Sequence, residues 1–185
     1  MTNRIPWPLP EQTTARLRLR APTMADAESL FAMYRDPRVM RYSGRAPHTN
    51  VEEIHEKLTR DLEAMQRGES VRWVMTPLGE PQVIGTLGLF HWSQGDRRAE
   101  IGYLLAPSHW GRALMKEALP LVVRFGFEVM GLHRIDAQVD PENTASLRLL
   151  EGLGFKHEGV LRESTFSYGR FSDTAMLGLL EQEWR

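Results

Sequence analysis

The sequence contains no cysteine. That excludes disulfides, thiolate metal sites and a cysteine nucleophile, and it fits a reducing compartment, so a cytoplasmic location is expected. No stretch approaches the roughly 20 apolar residues of a membrane span, and neither a membrane span nor a membrane partner is expected. Pro6, Pro8 and Pro10 fall where an export signal needs an apolar run. Charge of one sign is not in excess: 23 Lys and Arg against 24 Asp and Glu leave a net charge of -1. This removes any global pull toward nucleic acid, and any basic site must be local. The six His residues show no clustered metal-ligand spacing, so no metal is expected. Repeats, low-complexity tracts and inter-domain linkers are also missing, and 185 residues suit a single domain, 1–185.

What is present is an ordinary globular composition, 42% hydrophobic and 25% charged. After a Pro-rich lead-in over Met1–Gln12, the alternation Arg16-Leu17-Arg18-Leu19-Arg20 predicts a half-buried strand. Pro22-Thr23 opens a predicted helix over Met24–Tyr34, with Ala27, Leu30, Phe31 and Tyr34 on one face. A second predicted helix, Val51–Arg67, carries Ile54, Leu58, Leu62 and Met65 and stops at Gly68. Strand-like runs follow at Val71–Thr76, Val83–Trp92 and Ala99–Leu105. A longer helix is predicted over Arg112–Met130, with Leu114, Ala118, Leu121, Val122, Phe125 and Val129 as its apolar stripe and Pro120 as a kink. A strand at Arg134–Val139, a short helix capped by Asn143 and stopped by Gly154, and a hairpin turning at Tyr168-Gly169 complete the chain. Helices alternating with strands and hairpins predict a mixed sheet.

Two segments carry chemistry. In Glu100–Arg112 a strand runs into a loop that opens a helix at Trp110-Gly111-Arg112-Ala113-Leu114-Met115. Backbone N–H groups at such a helix start, with about half a unit of positive charge, suit a phosphate or pyrophosphate, and Arg112 can add a guanidinium. A Gly-containing loop also often just turns the chain. The second segment is Asp140-Pro141-Glu142-Asn143-Thr144-Ala145-Ser146, followed by Leu147 and Leu150 as core positions and Gly152-Leu153-Gly154. Asn143 caps that helix whether or not it meets a ligand.

Taken together, the order and spacing of these segments resemble the GNAT superfamily of N-acetyltransferases. Asp36-Pro37-Arg38-Val39-Met40, Glu100-Ile101-Gly102-Tyr103-Leu104-Leu105, Leu132-His133-Arg134-Ile135 and Glu158-Gly159-Val160-Leu161-Arg162 look like its RimJ/RimL branch, which acetylates ribosomal-protein N-termini. The resemblance implies an α/β (α+β) GNAT fold: a mixed, mostly antiparallel twisted sheet of about seven strands flanked by about four helices. It also implies acetyl-coenzyme A as co-substrate and a monomer or homodimer. Ala113 stands where the family usually has its second loop Gly, and Met115 stands at its Gly/Ala position. A helical Ala113 costs nothing, whereas positive φ there would strain it, and the helical alternative is expected.

The resemblance also implies roles. Tyr103, Leu104 and Leu105 would bind pantetheine, and the Leu104 N–H would polarise the thioester carbonyl. Trp110, Gly111, Arg112, Ala113, Leu114 and Met115 would hold the pyrophosphate, and Asn143 and Ser146 would lie beside the thiol. Glu100 is the expected base, unless Arg97 or Arg98 simply pairs with it. Ser146 is the expected acid, unless its hydroxyl bonds Asn143 or backbone, with Tyr103 in reserve. His91 and Trp92 are expected on the acceptor side, although Trp92 can equally be buried packing. The leading acceptor is a protein N-terminal α-amine. The alternatives are a small-molecule amine (polyamine, amino acid, antibiotic or peptide toxin) and a catalytically weak coenzyme A-binding protein.

Overall fold

The computed structural model describes residues 5–184; the first four residues of the expected lead-in lie outside that range. Eight strands form one sheet: β1 (Gln12–Thr13), β2 (Leu17–Arg20), β3 (Val71–Pro77), β4 (Gly85–Ser93), β5 (Arg98–Leu105), β6 (Arg134–Val139), β7 (Lys156–Ser167) and β8 (Arg170–Leu180). Their order is β1-β2-β3-β4-β5-β6-β8-β7. All neighbours are antiparallel except β5 and β6. The helices are α1 (Ala27–Tyr34), α2 (Pro37–Met40), α3 (Glu52–Gln66), α4 (Leu114–Glu128) and α5 (Thr144–Gly152). The two elements beyond expectation, β1 and α2, are too short to leave a periodic signature.

The first predicted helix begins as a 3-10 turn, where the Thr23 N–H donates to the Asp26 carboxylate at 2.7 Å. In α1 Met33 is buried alongside Ala27, Leu30 and Tyr34, and Phe31 only partly. Helix α3 buries Ile54, Leu58 and Met65, while Leu62 is only partly buried. These helices cover one sheet face, with Val74 and Val83 beneath them. The opposite face carries the larger core, where α4 packs Leu114, Ala118, Val122 and Phe125 against Trp73, Leu87, Leu89 and Ile135. Val129 lies at the frayed end of α4 and is exposed, contrary to expectation. The lead-in is part of this core: Ile5 and Leu9 are buried, and Trp73 Nε1 donates to the Pro10 carbonyl at 3.1 Å.

One irregularity positions the site. Strand β5 pairs with β4 along its length, but with β6 only where Arg98–Glu100 meet Arg134–Asp136. Beyond Glu100 the two parallel strands part.

Candidate active site

Alternation along β5 sorts its residues. Glu100, Gly102 and Leu104, register partners of Phe90, Gly88 and Thr86, face the α1–α3 side, where Leu104 packs. Ile101, Tyr103 and Leu105 face the α4 side. Lateral direction alternates too. The Ala106 N–H donates to the Ile84 carbonyl on the β4 side at 2.8 Å, and the Arg97 carbonyl accepts from Arg134 on the β6 side at 3.2 Å. Both observations turn the Leu104 N–H toward β4, so the expected carbonyl donor is engaged inside the sheet. The Tyr103 and Leu105 amides point into the gap instead, where no strand meets them.

The gap leads into a cleft of about 790 Å³. Along its rim, Gly111 and Ala113 both adopt left-handed backbone, φ +72° and +57°. The helical conformation expected for Ala113 is therefore not found; the loop must reverse there before α4 begins at Leu114. The first bond into α4 runs from Glu117 N–H to the Ala113 carbonyl, at 3.2 Å. Hence the Leu114, Met115 and Lys116 amides have no helical partner and present the positive end of the helix. The Leu114 and Met115 side chains belong to the core, so only their backbone is available. Trp110 Nε1 donates to the Leu105 carbonyl at 2.8 Å, tying loop to strand. Arg112 does not line the cleft; its carbonyl accepts from Arg16. Lys116, unmarked in the sequence, does line it. These free amides, with those of Tyr103 and Leu105, suit a long molecule that has a polar amide arm and a diphosphate.

Across the gap, Asn143 caps α5 as expected by accepting from the Ser146 N–H at 3.2 Å. The Ser146 hydroxyl is bound neither to Asn143 nor to backbone: it shares a hydrogen bond with the Tyr103 hydroxyl at 2.6 Å. One O–H of the pair remains free to point into the gap. Burial pushes the Tyr103 phenol up to about 12, against a smaller downward effect of Ser146.

Glu100 lies on the other face, its side chain 25% exposed. Its Oε2 accepts from Gln138 Nε2 at 3.0 Å and lies 3.3 Å from His91 Nδ1. Arg97 and Arg98 turn away to Glu181 and Asp96. His91 sits at an irregularity of β4 with φ +51°, lines the cleft and is largely exposed. Trp92 does not reach the cleft, because it packs against the main core. A smaller cavity of about 180 Å³ adjoins Glu100 and is lined by Arg41, Asp140, Thr165 and Asp173 among others. Asp173 gives the last hairpin a carboxylate that sequence reasoning missed. It accepts from the Glu163 N–H at 2.9 Å, and Glu163 itself does not line either cavity.

A family model described as an acetyltransferase (GNAT) domain matches residues 16–156. The chain belongs to the GNAT acetyltransferase family. An N-acetyltransferase of Bacillus licheniformis is 36% identical over 171 residues, covering 92% of this chain and 96% of that one. The crystal structure of spermidine N-acetyltransferase from Vibrio cholerae, in complex with CoA and spermine, superposes with a TM-score of 0.82. It is 25% identical and covers 92% of this chain and 98% of that one. Mycobacterium smegmatis RimJ in complex with CoA-disulfide superposes at 0.87 with 24% identity, covering 96% and 90% of the two chains. This GNAT protein is an acetyl-CoA-dependent acyltransferase. Among the described residues no group of three or more His, Asp or Glu is placed to hold a metal, and no helix is long and apolar enough to cross a membrane.

Proposed function

We propose that the protein transfers an acetyl group to a primary amine, by direct attack within a ternary complex, and that the acceptor is a protein N-terminal α-amine of the ribosomal type. The observation carrying the chemistry is that Glu100 and the Tyr103–Ser146 pair flank one gap from opposite sheet faces. An amine entering beside Glu100 then adds to the thioester carbonyl, and the tetrahedral intermediate expels the thiolate beside Tyr103.

Acetyl-CoA supplies the activated acyl group. Glu100 accepts the proton from the attacking nitrogen through Oε1, since Gln138 and His91 both engage Oε2. The Tyr103 N–H donates to the carbonyl oxygen as charge develops there. Tyr103, titrating near 12, keeps its proton against a thiolate whose conjugate acid titrates near 8.5. The hydroxyl pair therefore stabilises the departing sulfur by donating a hydrogen bond, and the full proton comes from solvent. Gly111, Ala113 and the three free amides of α4 hold the diphosphate.

An N-terminal acceptor is supported by the branch motifs of the sequence and by the openness of the site around exposed His91. A polyamine is the second reading, favoured by Asp140 and Asp173 beside Glu100. Both of those carboxylates, however, already accept backbone N–H groups, from Glu142 and Glu163.

Mass spectrometry of ribosomal proteins treated with the enzyme and acetyl-CoA tests the acceptor: added acetyl groups at α-amines support it, and acetylation of spermidine alone overturns it. For the base, Glu100→Gln is expected to lower kcat about a hundredfold or more with little change in the acetyl-CoA KM. An unaltered pH–rate profile would leave Glu100 a structural role only.

A further inference from the structure

Away from the small cavity, the cleft has a basic corner that acetyl transfer does not use. Lys57 on α3 and Arg72 on β3 both line the cleft and converge on one oxygen of Asp61, at 2.6 and 3.0 Å. Their side chains are only 13% and 17% exposed. Two cations sharing one carboxylate leave a positive charge in a poorly solvated place, and buried Arg72 Nε makes no hydrogen bond despite its nearness to Asp61.

The corner is aimed toward the reacting end. The Arg72 guanidinium lies over the Phe90 ring, 4.4 Å from its centroid. Phe90 in turn is the register partner of Glu100. The ring can lie flat because Gly88 and Gly102 form the floor under it. A Cβ on Gly88 would come within 2.8 Å of the ring and 2.2 Å of the Val71 carbonyl, and one on Gly102 within 3.2 Å of the ring. Arg72 is the register partner of Gly88, two residues from Phe90, so cation, ring and carboxylate run diagonally across β3, β4 and β5.

We propose that this corner binds a carboxylate carried by the acceptor, so that the preferred substrate is an amine with an acidic group a few bonds away. The proposal rests on the amine-acetylation reading above and narrows it. Arg72 and Glu100 sit on strands two inter-strand steps, about 10 Å, apart and are offset by two residues, about 7 Å, along them. The long side chains close much of that distance over the Phe90 ring, so the acceptor's amine and carboxylate are a few bonds apart. The α-amine and side-chain carboxylate of an N-terminal aspartate, or of free aspartate, meet that condition. A polycation would meet like charge at Arg72 and Lys57.

The test is steady-state kinetics with two peptides identical except for Asp or Asn at the first position, with free aspartate and spermidine as further acceptors. Wild-type enzyme is expected to favour the Asp peptide at least tenfold in kcat/KM. Arg72→Gln should bring that ratio to about one, mainly through KM for the Asp peptide. Lys57→Gln should reduce the ratio in the same direction, and it keeps the test open if Arg72→Gln does not fold. Equal wild-type use of the Asp and Asn peptides overturns the carboxylate site but leaves amine acetylation standing, as does an unchanged ratio in both folded variants. Turnover of spermidine with neither peptide nor aspartate overturns the site and the N-terminal acceptor together. Turnover of none of the four overturns the amine-acetylation reading itself. Use of aspartate without the peptides identifies a free amino acid as the source of the carboxylate.

Discussion

Of all side chains near the gap, Tyr103 and Ser146 form the pair whose chemistry is set by their contact rather than by either alone. The two hydroxyls share one hydrogen bond, so removing one leaves a single donor with altered aim. Tyr103→Phe is expected to lower kcat about a hundredfold and Ser146→Ala about tenfold, with the double variant little worse than Tyr103→Phe, because the two act as a unit. Fully additive losses would show two independent donors. The phenol, held up near 12 by burial, stays protonated through pH 10, so its loss of a proton gives kcat no alkaline limb there; a fall in kcat near pH 8 that vanishes in Tyr103→Phe would contradict this. Ser146 was legible in the sequence because an Asn cap and the residue three positions on are a local pattern. Its bond to Tyr103, there only a reserve acid, was not, since 43 positions separate the two and only the parting of β5 and β6 brings them together. The same parting decides that the Tyr103 amide, not that of Leu104, is free. No periodicity encodes that choice.

Helix α4 shows what an element demands of one residue. Its existence and most of its apolar stripe were legible from spacing, but it is two residues shorter at each end than expected; it runs through Pro120, and the carbonyl that loses its partner belongs to exposed Lys116. The conformation of Ala113 was not legible, because alanine is a strong helix former and only the turn from loop to helix forces it left-handed. The strain is tolerated because the helix start is held from outside: the Glu117 carboxylate accepts from the Arg16 N–H at 3.0 Å and from Arg16 Nε at 2.7 Å. Replacing Ala113 with Gly relieves about 1 kcal/mol of left-handed strain, less some chain entropy. Thermal unfolding should therefore move up by about 2 °C, with coenzyme A binding retained, while Ala113→Val should lower it. A falling melting temperature in Ala113→Gly would show that the methyl group has a packing role.

Across the whole molecule, ion pairs join segments distant in sequence, and several hold carboxylates below their ordinary range. Burial pushes Asp26 up, but bonds from Arg20 and Thr23 outweigh it and leave the group lowered. The Thr14 hydroxyl and Arg16 lower Glu117, and Arg134 lowers Glu158. Groups depressed in the folded state stabilise it fully above their unfolded values and lose that contribution as pH falls through the folded ones. The urea midpoint is therefore expected to be flat from pH 8 to 5 and to drop below about pH 4. Asp26→Asn should cost about 2 kcal/mol at neutral pH and converge on wild type in acid; an equal deficit at both pH values would make the loss one of packing. At this scale the sheet was readable as mixed, yet nothing in composition foretold that five strands and three meet through so few register pairs. That seam leaves the sheet unfinished. In the proposed complex the pantetheine arm, with its own amides, takes the place of the missing rungs, and the co-substrate would serve for a time as a strand. Amide exchange at Tyr103 and Leu105 would report the difference, fast in the empty protein and slowed once the two halves of the sheet are bridged.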